Sequence, residues 1–124
     1  MKTPTRVKTV YVVEDDPGVR ALLERVLGTF YSLRMFESGR EALNALQALP
    51  PDVLVTDLGI PDIDGEDLVW AMGHLDSPRP RVVVMSGDRG RLLQAAAWAQ
   101  AIVPKPFAVP ALIGAIESEK LLAH

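Results

Sequence analysis

The chain has 124 residues, enough for one domain with a buried core. Its apolar share of 48% and charged share of 23% are ordinary for a globular protein, and a net charge of −3 argues against a nucleic-acid-binding surface. The lack of cysteine excludes disulfides, thiol chemistry and cysteine-ligated zinc, and no apolar stretch approaches the roughly 20 residues that cross a bilayer.

The first part of the chain alternates a strand pattern, a helix pattern and a second strand pattern. Residues 7–13 predict a strand, after which Asp16 and Pro17 open a helix as its N-cap and first residue. Residues 31–36 predict a weaker strand at a sheet edge, because Arg34 interrupts the apolar run. The apolar stripe of the helix is Val19, Leu22, Leu23, Val26, Leu27 and Phe30.

The middle of the chain predicts a second helix, a buried strand and a third helix. Residues 38–41 form a capping-box pattern, and Pro50 and Pro51 end the helix that it begins. Residues 52–56 predict a strand that is apolar enough to be covered on both faces. Asp64 can cap the third helix after a turn containing Asp62. The stripe of that helix is Leu68, Val69, Met72 and Leu75.

The last part of the chain predicts two further strand–helix units. Residues 81–85 predict a fourth strand, residues 89–99 a short helix, and residues 101–103 a very short fifth strand. The final helix carries an apolar stripe of Val109, Leu112, Ile113 and Ile116. Around the fourth strand and helix, four arginines predict a solvated face, with a docking surface as the alternative: Arg79, Arg81, Arg89 and Arg91.

Five strand–helix units in one short chain predict an α/β fold, with a parallel sheet covered by helices on both faces. Ligands of such folds bind beyond the carboxyl ends of the strands. The residues directly after each strand are therefore the candidates for function.

Polar residues follow four of the five predicted strands. Glu14 and Asp15 follow the first, Asp57 the third, Ser86 the fourth and Lys105 the fifth. Carboxylates gathered from distant positions repel one another, so a fold tolerates them best with a cation nearby. Oxygen ligands without His or Cys favour a hard ion, and Mg²⁺ is usually held by one or two carboxylates plus water and a substrate phosphate.

We expect Asp15 and Asp57 to bind Mg²⁺ directly, and Mn²⁺ could substitute for it. The backbone carbonyl of Gly59 could supply a third ligand, and Glu14 could act through water. Asp16 is explained better as the cap of the first helix.

A metal beside a carboxylate, with a lysine and a hydroxyl opposite, suits phosphoryl transfer, which depends on alignment and on neutralising charge. Asp57 would be the nucleophile and would become an acyl phosphate. Mg²⁺ and Lys105 would bind phosphoryl oxygens, and Ser86 would donate a hydrogen bond to one of them.

Four segments in order, each at the end of a predicted strand, resemble the response-regulator receiver domains of bacterial two-component systems. They are VVEDDP (12–17), TDLGIPDIDG (56–65), VMSG (84–87) and PKPF (104–107). The resemblance runs from Lys8 to Leu122, within a single domain over residues 1–124. It implies a five-stranded doubly wound, flavodoxin-like fold with strand order 2-1-3-4-5.

The resemblance also implies partners and a role. A histidine kinase or a histidine phosphotransfer protein would donate the phosphoryl group to Asp57, and a downstream protein would respond to the changed conformation. The domain would be a regulatory phosphoacceptor with slow dephosphorylation rather than an enzyme, and a cis bond before Pro106 is expected. We expect a cytoplasmic protein without nucleic-acid or membrane binding, and the oligomeric state stays open, a dimer included.

Two features depart from the family pattern. Ile102 stands where the family usually has a Tyr or Phe that swings inward on activation, so this switch position lacks its ring. The segment from Ser86 to Lys105 is also compressed. Gly59 and Asp88 occupy positions that tune dephosphorylation in the family. These departures keep open a degenerate receiver that docks proteins without phosphorylation, whereas a phosphatase would usually need an acid at the position of Gly59.

Overall fold

The computed structural model describes residues 7–72 and 79–118, where five strands alternate with five helices. The strands are β1 (Thr9–Val13), β2 (Ser32–Phe36), β3 (Val53–Asp57), β4 (Arg81–Ser86) and β5 (Ala101–Pro104). The helices are α1 (Pro17–Leu27), α2 (Gly39–Ala48), α3 (Gly65–Met72), α4 (Arg89–Ala95) and α5 (Val109–Glu117).

The strands form one parallel sheet in the order β2-β1-β3-β4-β5, which confirms the predicted α/β fold and strand order. The register aligns the carboxyl ends of neighbouring strands: Val13 lies opposite Thr56, and Ser86 lies opposite Pro104. The residues that follow β1, β3, β4 and β5 therefore emerge along one edge of the sheet.

Each face of the sheet carries its own apolar core. Side chains of α1 and α5, among them Leu23 and Leu112, pack on one face. Side chains of α2, α3 and α4, among them Leu46, Leu68 and Leu92, pack on the other. All five residues of β3 are buried, as expected for a central parallel strand covered on both faces.

The predicted helix caps are present. Asp16 Oδ1 accepts hydrogen bonds from the N–H groups of Gly18 at 2.8 Å and Val19 at 3.1 Å, so α1 begins directly beside the end of β1. Ser38 Oγ accepts from the N–H of Glu41 at 3.2 Å at the start of α2. Asp64 Oδ1 accepts from the N–H of Glu66 at 3.3 Å at the start of α3.

The apolar stripe predicted for the first helix is wrong at two positions. α1 ends at Leu27, and the N–H groups of Phe30 and Tyr31 both donate to the Leu27 carbonyl, at 3.0 and 2.9 Å. This turn leaves Phe30 outside the helix and 57% exposed, while Leu22 is 46% exposed. The apolar periodicity of the sequence continues to Phe30 and therefore predicts a longer helix than the one that ends at Leu27.

The fourth helix is shorter than predicted, because it ends at Ala95 rather than at residue 99. The early end of α4 is explained by two hydrogen bonds between Gln100 and Val82. The Gln100 N–H donates to the Val82 carbonyl at 3.0 Å, and the Gln100 Oε1 accepts from the Val82 N–H at 2.6 Å. This pair of hydrogen bonds draws the chain back to the sheet and starts β5.

Other differences from the sequence prediction are small. β1 begins at Thr9 rather than at residue 7, and β3 spans Val53–Asp57 rather than residues 52–56. Leu75, predicted in the third helix, and residues 119–122 lie outside the described residues. No helix in the ranges 7–72 and 79–118 is both long and apolar enough to cross a bilayer.

β2 and β5 are the two edges of the sheet, so the prediction that β2 is an edge strand is confirmed. On β2, the guanidinium of Arg34 lies over the rings of Tyr11 and Phe36, at 5.5 and 5.1 Å from their centroids. β5 has four residues and ends at Pro104.

Candidate functional site

The ammonium of Lys105 lies between two carboxylates at the carboxyl edge of the sheet. Its Nζ donates to Asp57 Oδ2 at 2.7 Å and to Glu14 Oε1 at 2.8 Å. The Glu14 side chain is 1% exposed and the Asp57 side chain 12%, so both charges are largely removed from water. β1, β3 and β5 thus bring together three of the residues that the sequence predicted for the site.

Asp15 completes an acidic cluster with Glu14 and Asp57. One carboxylate oxygen from each of the three residues lies within 4.8 Å of the others. Asp15 is exposed, whereas Glu14 and Asp57 are buried. Three carboxylate oxygens without nitrogen or sulfur ligands form a donor set that fits a hard divalent cation such as Mg²⁺.

Both oxygens of the Glu14 carboxylate have partners in the protein. Oε1 accepts from Lys105, and Oε2 accepts from the N–H of Asp16 at 3.1 Å. Burial raises the pKa of Glu14 above its ordinary value of 4.5, although the hydrogen bond from Lys105 opposes this effect. The role predicted for Glu14, binding the metal through water, stays a prediction.

Lys105 is held in its charged form. Burial alone would lower the pKa of Lys105, but the hydrogen bonds from its ammonium to Asp57 and Glu14 outweigh that effect and raise the pKa above 10.5. The peptide bond between Lys105 and Pro106 is cis, as the resemblance implied. The ammonium therefore offers a fixed positive charge beside Asp57.

The loop between β3 and α3 carries Gly59. The Gly59 N–H donates to Asp57 Oδ1 at 3.0 Å, and a Cβ on this residue would lie 3.7 Å from the same oxygen. Gly59 is exposed. The absence of a side chain here keeps the approach to the Asp57 carboxylate open, while the carbonyl of Gly59 stays a predicted metal ligand.

Asp62 does more than form a turn in this loop. Its carboxylate accepts from the N–H groups of Gly39 at 2.8 Å and Arg40 at 2.9 Å, at the first turn of α2. These two hydrogen bonds lower the pKa of Asp62 below its ordinary value of 3.8. The loop after Asp57 is therefore attached to a neighbouring helix.

Ser86 ends β4 and is 5% exposed. Its carbonyl accepts from the Lys105 N–H at 2.9 Å, which places the two residues side by side on adjacent strands. Its Oγ accepts from the Asp88 N–H at 3.0 Å. The carboxylate of Asp88 in turn caps α4 by accepting from the Arg91 N–H at 3.1 Å, so this acid has a structural function.

Ile102 lies on β5 opposite Val84. It is partly buried and packs against the core on the α2, α3 and α4 face of the sheet. Ile102 is therefore an aliphatic core residue at the position that the resemblance assigns to a rotating aromatic ring.

The Arg91 side chain is 43% exposed, as the predicted solvated face requires, but it also makes two contacts that the sequence did not indicate. Its Nη2 donates to the Leu58 carbonyl at 3.1 Å and lies 3.6 Å from Asp64 Oδ1. Arg81 is only partly exposed, and its Nε donates to the Ala115 carbonyl at 2.9 Å. No local pattern marked either arginine, because both contacts join residues more than 30 positions apart.

Comparison with known proteins identifies the family of the chain. A family model described as the response regulator receiver domain matches residues 10–117. The chain is 33% identical over 112 residues to the DNA-binding transcriptional regulator NtrC of Escherichia coli, covering 87% of this chain and 24% of NtrC. It is 33% identical over 107 residues to the response regulator MprA of Mycolicibacterium vanbaalenii, covering 84% of this chain and 46% of MprA. The chain thus spans less than half the length of these two relatives.

Solved structures share the fold. The chemotaxis response regulator CheY4 of Vibrio cholerae matches with a TM-score of 0.78 at 22% identity, covering 90% of this chain and 98% of that one. The BeF₃-activated DrrB receiver domain matches with a TM-score of 0.78 at 23% identity, covering 90% and 96%. On the family match across most of its length, the chain belongs to the response regulator receiver domain family.

Proposed function

We propose that this chain is a phosphorylatable switch that accepts a phosphoryl group on Asp57 from a phosphohistidine donor. Receiver domains are regulatory phosphoacceptor domains of two-component systems. The observation that carries the proposal here is the contact of 2.7 Å between Lys105 Nζ and Asp57 Oδ2, inside the cluster that also contains Glu14 and Asp15.

The chemistry proposed for Asp57 is a single displacement at phosphorus. A carboxylate oxygen of Asp57 forms a bond to phosphorus while the bond from phosphorus to the donor imidazole nitrogen breaks. The electron pair of that bond stays on the imidazole, which then takes up a proton. The products are an aspartyl phosphate on this chain and a neutral histidine on the donor protein.

The surrounding residues orient the reactants and balance charge. The ammonium of Lys105, already beside Asp57, would move to a phosphoryl oxygen. Ser86 Oγ, which accepts from the Asp88 N–H, would donate its own proton to another phosphoryl oxygen. Asp15, Asp57 and the Gly59 carbonyl would hold Mg²⁺, with Glu14 acting through water. When bound, Mg²⁺ neutralises charge on the phosphoryl oxygens.

The partners follow from this chemistry. A histidine kinase or a histidine phosphotransfer protein would supply the phosphoryl group, and a downstream protein would bind one conformation of the switch better than the other. The proposed place of action is the cytoplasm.

The test is acetyl phosphate with Mg²⁺, followed by intact-mass measurement. We expect the wild-type chain to gain one phosphoryl group and Asp57→Asn to gain none, because the amide is not a nucleophile of the required kind. Asp67→Asn is the matched control, since Asp67 is an exposed acid on α3. Labelling of Asp15→Asn should need more Mg²⁺ than labelling of the wild type. Unlabelled wild type, or equal labelling of Asp57→Asn, would contradict the proposal.

A second candidate function is a docking module that works without phosphorylation. Two observations favour it: α4 has only seven residues, and Ile102 replaces the usual aromatic ring. In this case wild type and Asp57→Asn would capture the same protein from a lysate equally well, with or without acetyl phosphate. The phosphorylatable switch requires capture that depends on both.

A further inference from the structure

The first turn of α4 contacts the site from two sides. On one side, the Asp88 N–H donates to Ser86 Oγ at 3.0 Å. On the other, Arg91 Nη2 donates to the carbonyl of Leu58 at 3.1 Å, and Leu58 directly follows Asp57. The helix is therefore joined both to the hydroxyl and to the backbone next to the predicted phosphoacceptor.

The hydrogen bond to Leu58 is the stronger of the two contacts that Arg91 makes. The ion pair with Asp64 is long at 3.6 Å, and both side chains are about half exposed, so solvent weakens it. The bond to the carbonyl is 3.1 Å long, within the usual range, and has a charged donor. Both contacts are made by the same atom, Arg91 Nη2, which lies between the Leu58 carbonyl and the Asp64 carboxylate.

We propose that Arg91 is a positioning residue that ties α4 to the loop after Asp57, so that phosphorylation is transmitted to α4 through Leu58 and Arg91. This inference rests on the function proposed above. Ile102 has no ring that could rotate, so a signal from Asp57 needs a route other than residue 102. Arg91 offers a route from the site to α4 that does not pass through residue 102.

Phosphorylation of Asp57 would act on the first turn of α4 through both of these contacts. A phosphoryl group on Asp57 adds negative charge one residue from the carbonyl that Arg91 contacts. At the same time, Ser86 Oγ, which accepts from the Asp88 N–H, donates its own proton to a phosphoryl oxygen, and any movement of the hydroxyl toward that oxygen acts on Asp88. Both changes act on the same turn of α4, so the free energy of its position differs between the two states of Asp57.

Hydrogen exchange measured by mass spectrometry tests the proposal on the whole chain. The variant is Arg91→Gln, and the matched control is Arg89→Gln, an exposed arginine on the same helix. Exchange is measured over residues 58–64 and 89–95 in the free protein, and again with beryllofluoride and Mg²⁺ as a mimic of the phosphorylated state. Acetyl phosphate labelling of each variant is measured in parallel.

In the free protein, we expect Arg91→Gln to speed exchange in both segments by about fivefold, the effect of losing one hydrogen bond. Arg89→Gln should match the wild type. Equal exchange in Arg91→Gln and Arg89→Gln would show that the tie does not exist.

The second comparison separates transmission from a purely structural contribution. In the wild type, beryllofluoride should change exchange over residues 89–95, and in Arg91→Gln this change should disappear while Asp57 is still labelled. A variant that keeps the full wild-type change overturns the proposed transmission. If the wild type takes up neither beryllofluoride nor a phosphoryl group, the proposed function and the transmission both fail, and the free-state comparison alone decides whether Arg91 holds the loop.

Discussion

At the scale of single residues, Glu14 and Lys105 form the pair on which the site depends. Glu14 is almost completely buried, and its carboxylate would be costly to bury without a cation. Lys105 meets that need at 2.8 Å while also contacting Asp57. The same ammonium thus stabilises the buried Glu14 and lies beside Asp57, the proposed phosphoacceptor.

A double-mutant cycle measures this pair. Lys105→Met should lower the free energy of unfolding by about 2 kcal/mol, the effect of losing a hydrogen bond to a charged group, because Glu14 and Asp57 then lie close together without a cation between them. In a Glu14→Gln background the same substitution should cost clearly less, since one of the two charges is gone. Chemical denaturation of the four proteins gives the coupling. Additive effects would show that Lys105 does not stabilise Glu14.

At the scale of elements, the contact between α2 and the loop after Asp57 allows no side chain at Gly39. A Cβ on Gly39 would lie 2.8 Å from Ile63 Cβ, an atom next to the backbone that cannot move away on its own. Asp62 hydrogen-bonds to the N–H of Gly39 from the same loop. The close approach of loop and helix thus fixes the segment that carries Gly59.

Two glycine substitutions should therefore have opposite effects. Gly39→Ala should lower the free energy of unfolding by about 2 kcal/mol through overpacking against Ile63. Gly114→Ala should raise it by about 0.5 kcal/mol, because Gly114 is a helical position in α5 where a Cβ would meet nothing within 4 Å. Thermal or denaturant unfolding of both variants checks the pair. A stabilised Gly39→Ala protein would contradict the packing described here.

At the scale of the whole molecule, Tyr31 and Glu117 join segments that are far apart in the chain. The Tyr31 hydroxyl donates to Glu117 Oε2 at 2.8 Å, which ties the start of β2 to the end of α5. Burial, together with the hydrogen bond and charge of Glu117, raises the pKa of Tyr31 well above its ordinary value of 10.0. The Tyr31 hydroxyl thus links β2 to α5 on the face of the sheet that α1 and α5 cover.

This raised pKa predicts an alkaline loss of stability. Below pH 10.0 the phenol is protonated in both states, and its contribution is complete. Above that pH the unfolded chain loses the proton while the folded protein keeps it, so the contribution falls as the pH rises toward the folded pKa. Tyr31→Phe should cost about 1 kcal/mol at neutral pH, and this cost should shrink above about pH 10. A cost that stays constant up to about pH 11 would contradict the assignment.

Long-range order in this molecule was predictable where it follows from a rule, and not where it depends on a single distant contact. The alternation of strand and helix patterns gave the sheet, and the rule about strand ends brought Asp15, Asp57 and Lys105 together. The end of α4 depends on the hydrogen bonds between Gln100 and Val82, and the position of Arg91 depends on the Leu58 carbonyl. Such contacts leave no periodic trace in the sequence.

The two edges of the sheet have a consequence for how copies of this molecule meet one another. An open edge strand can add a strand from another chain through free backbone N–H and C=O groups, which leads to aggregation. β5 is only four residues long and ends at Pro104, which has no N–H to donate. On β2, Arg34 places a charge over the rings of Tyr11 and Phe36 at the opposite edge. Both edges of the sheet therefore disfavour pairing with a strand of another copy: β5 is short and ends in proline, and β2 carries a charge.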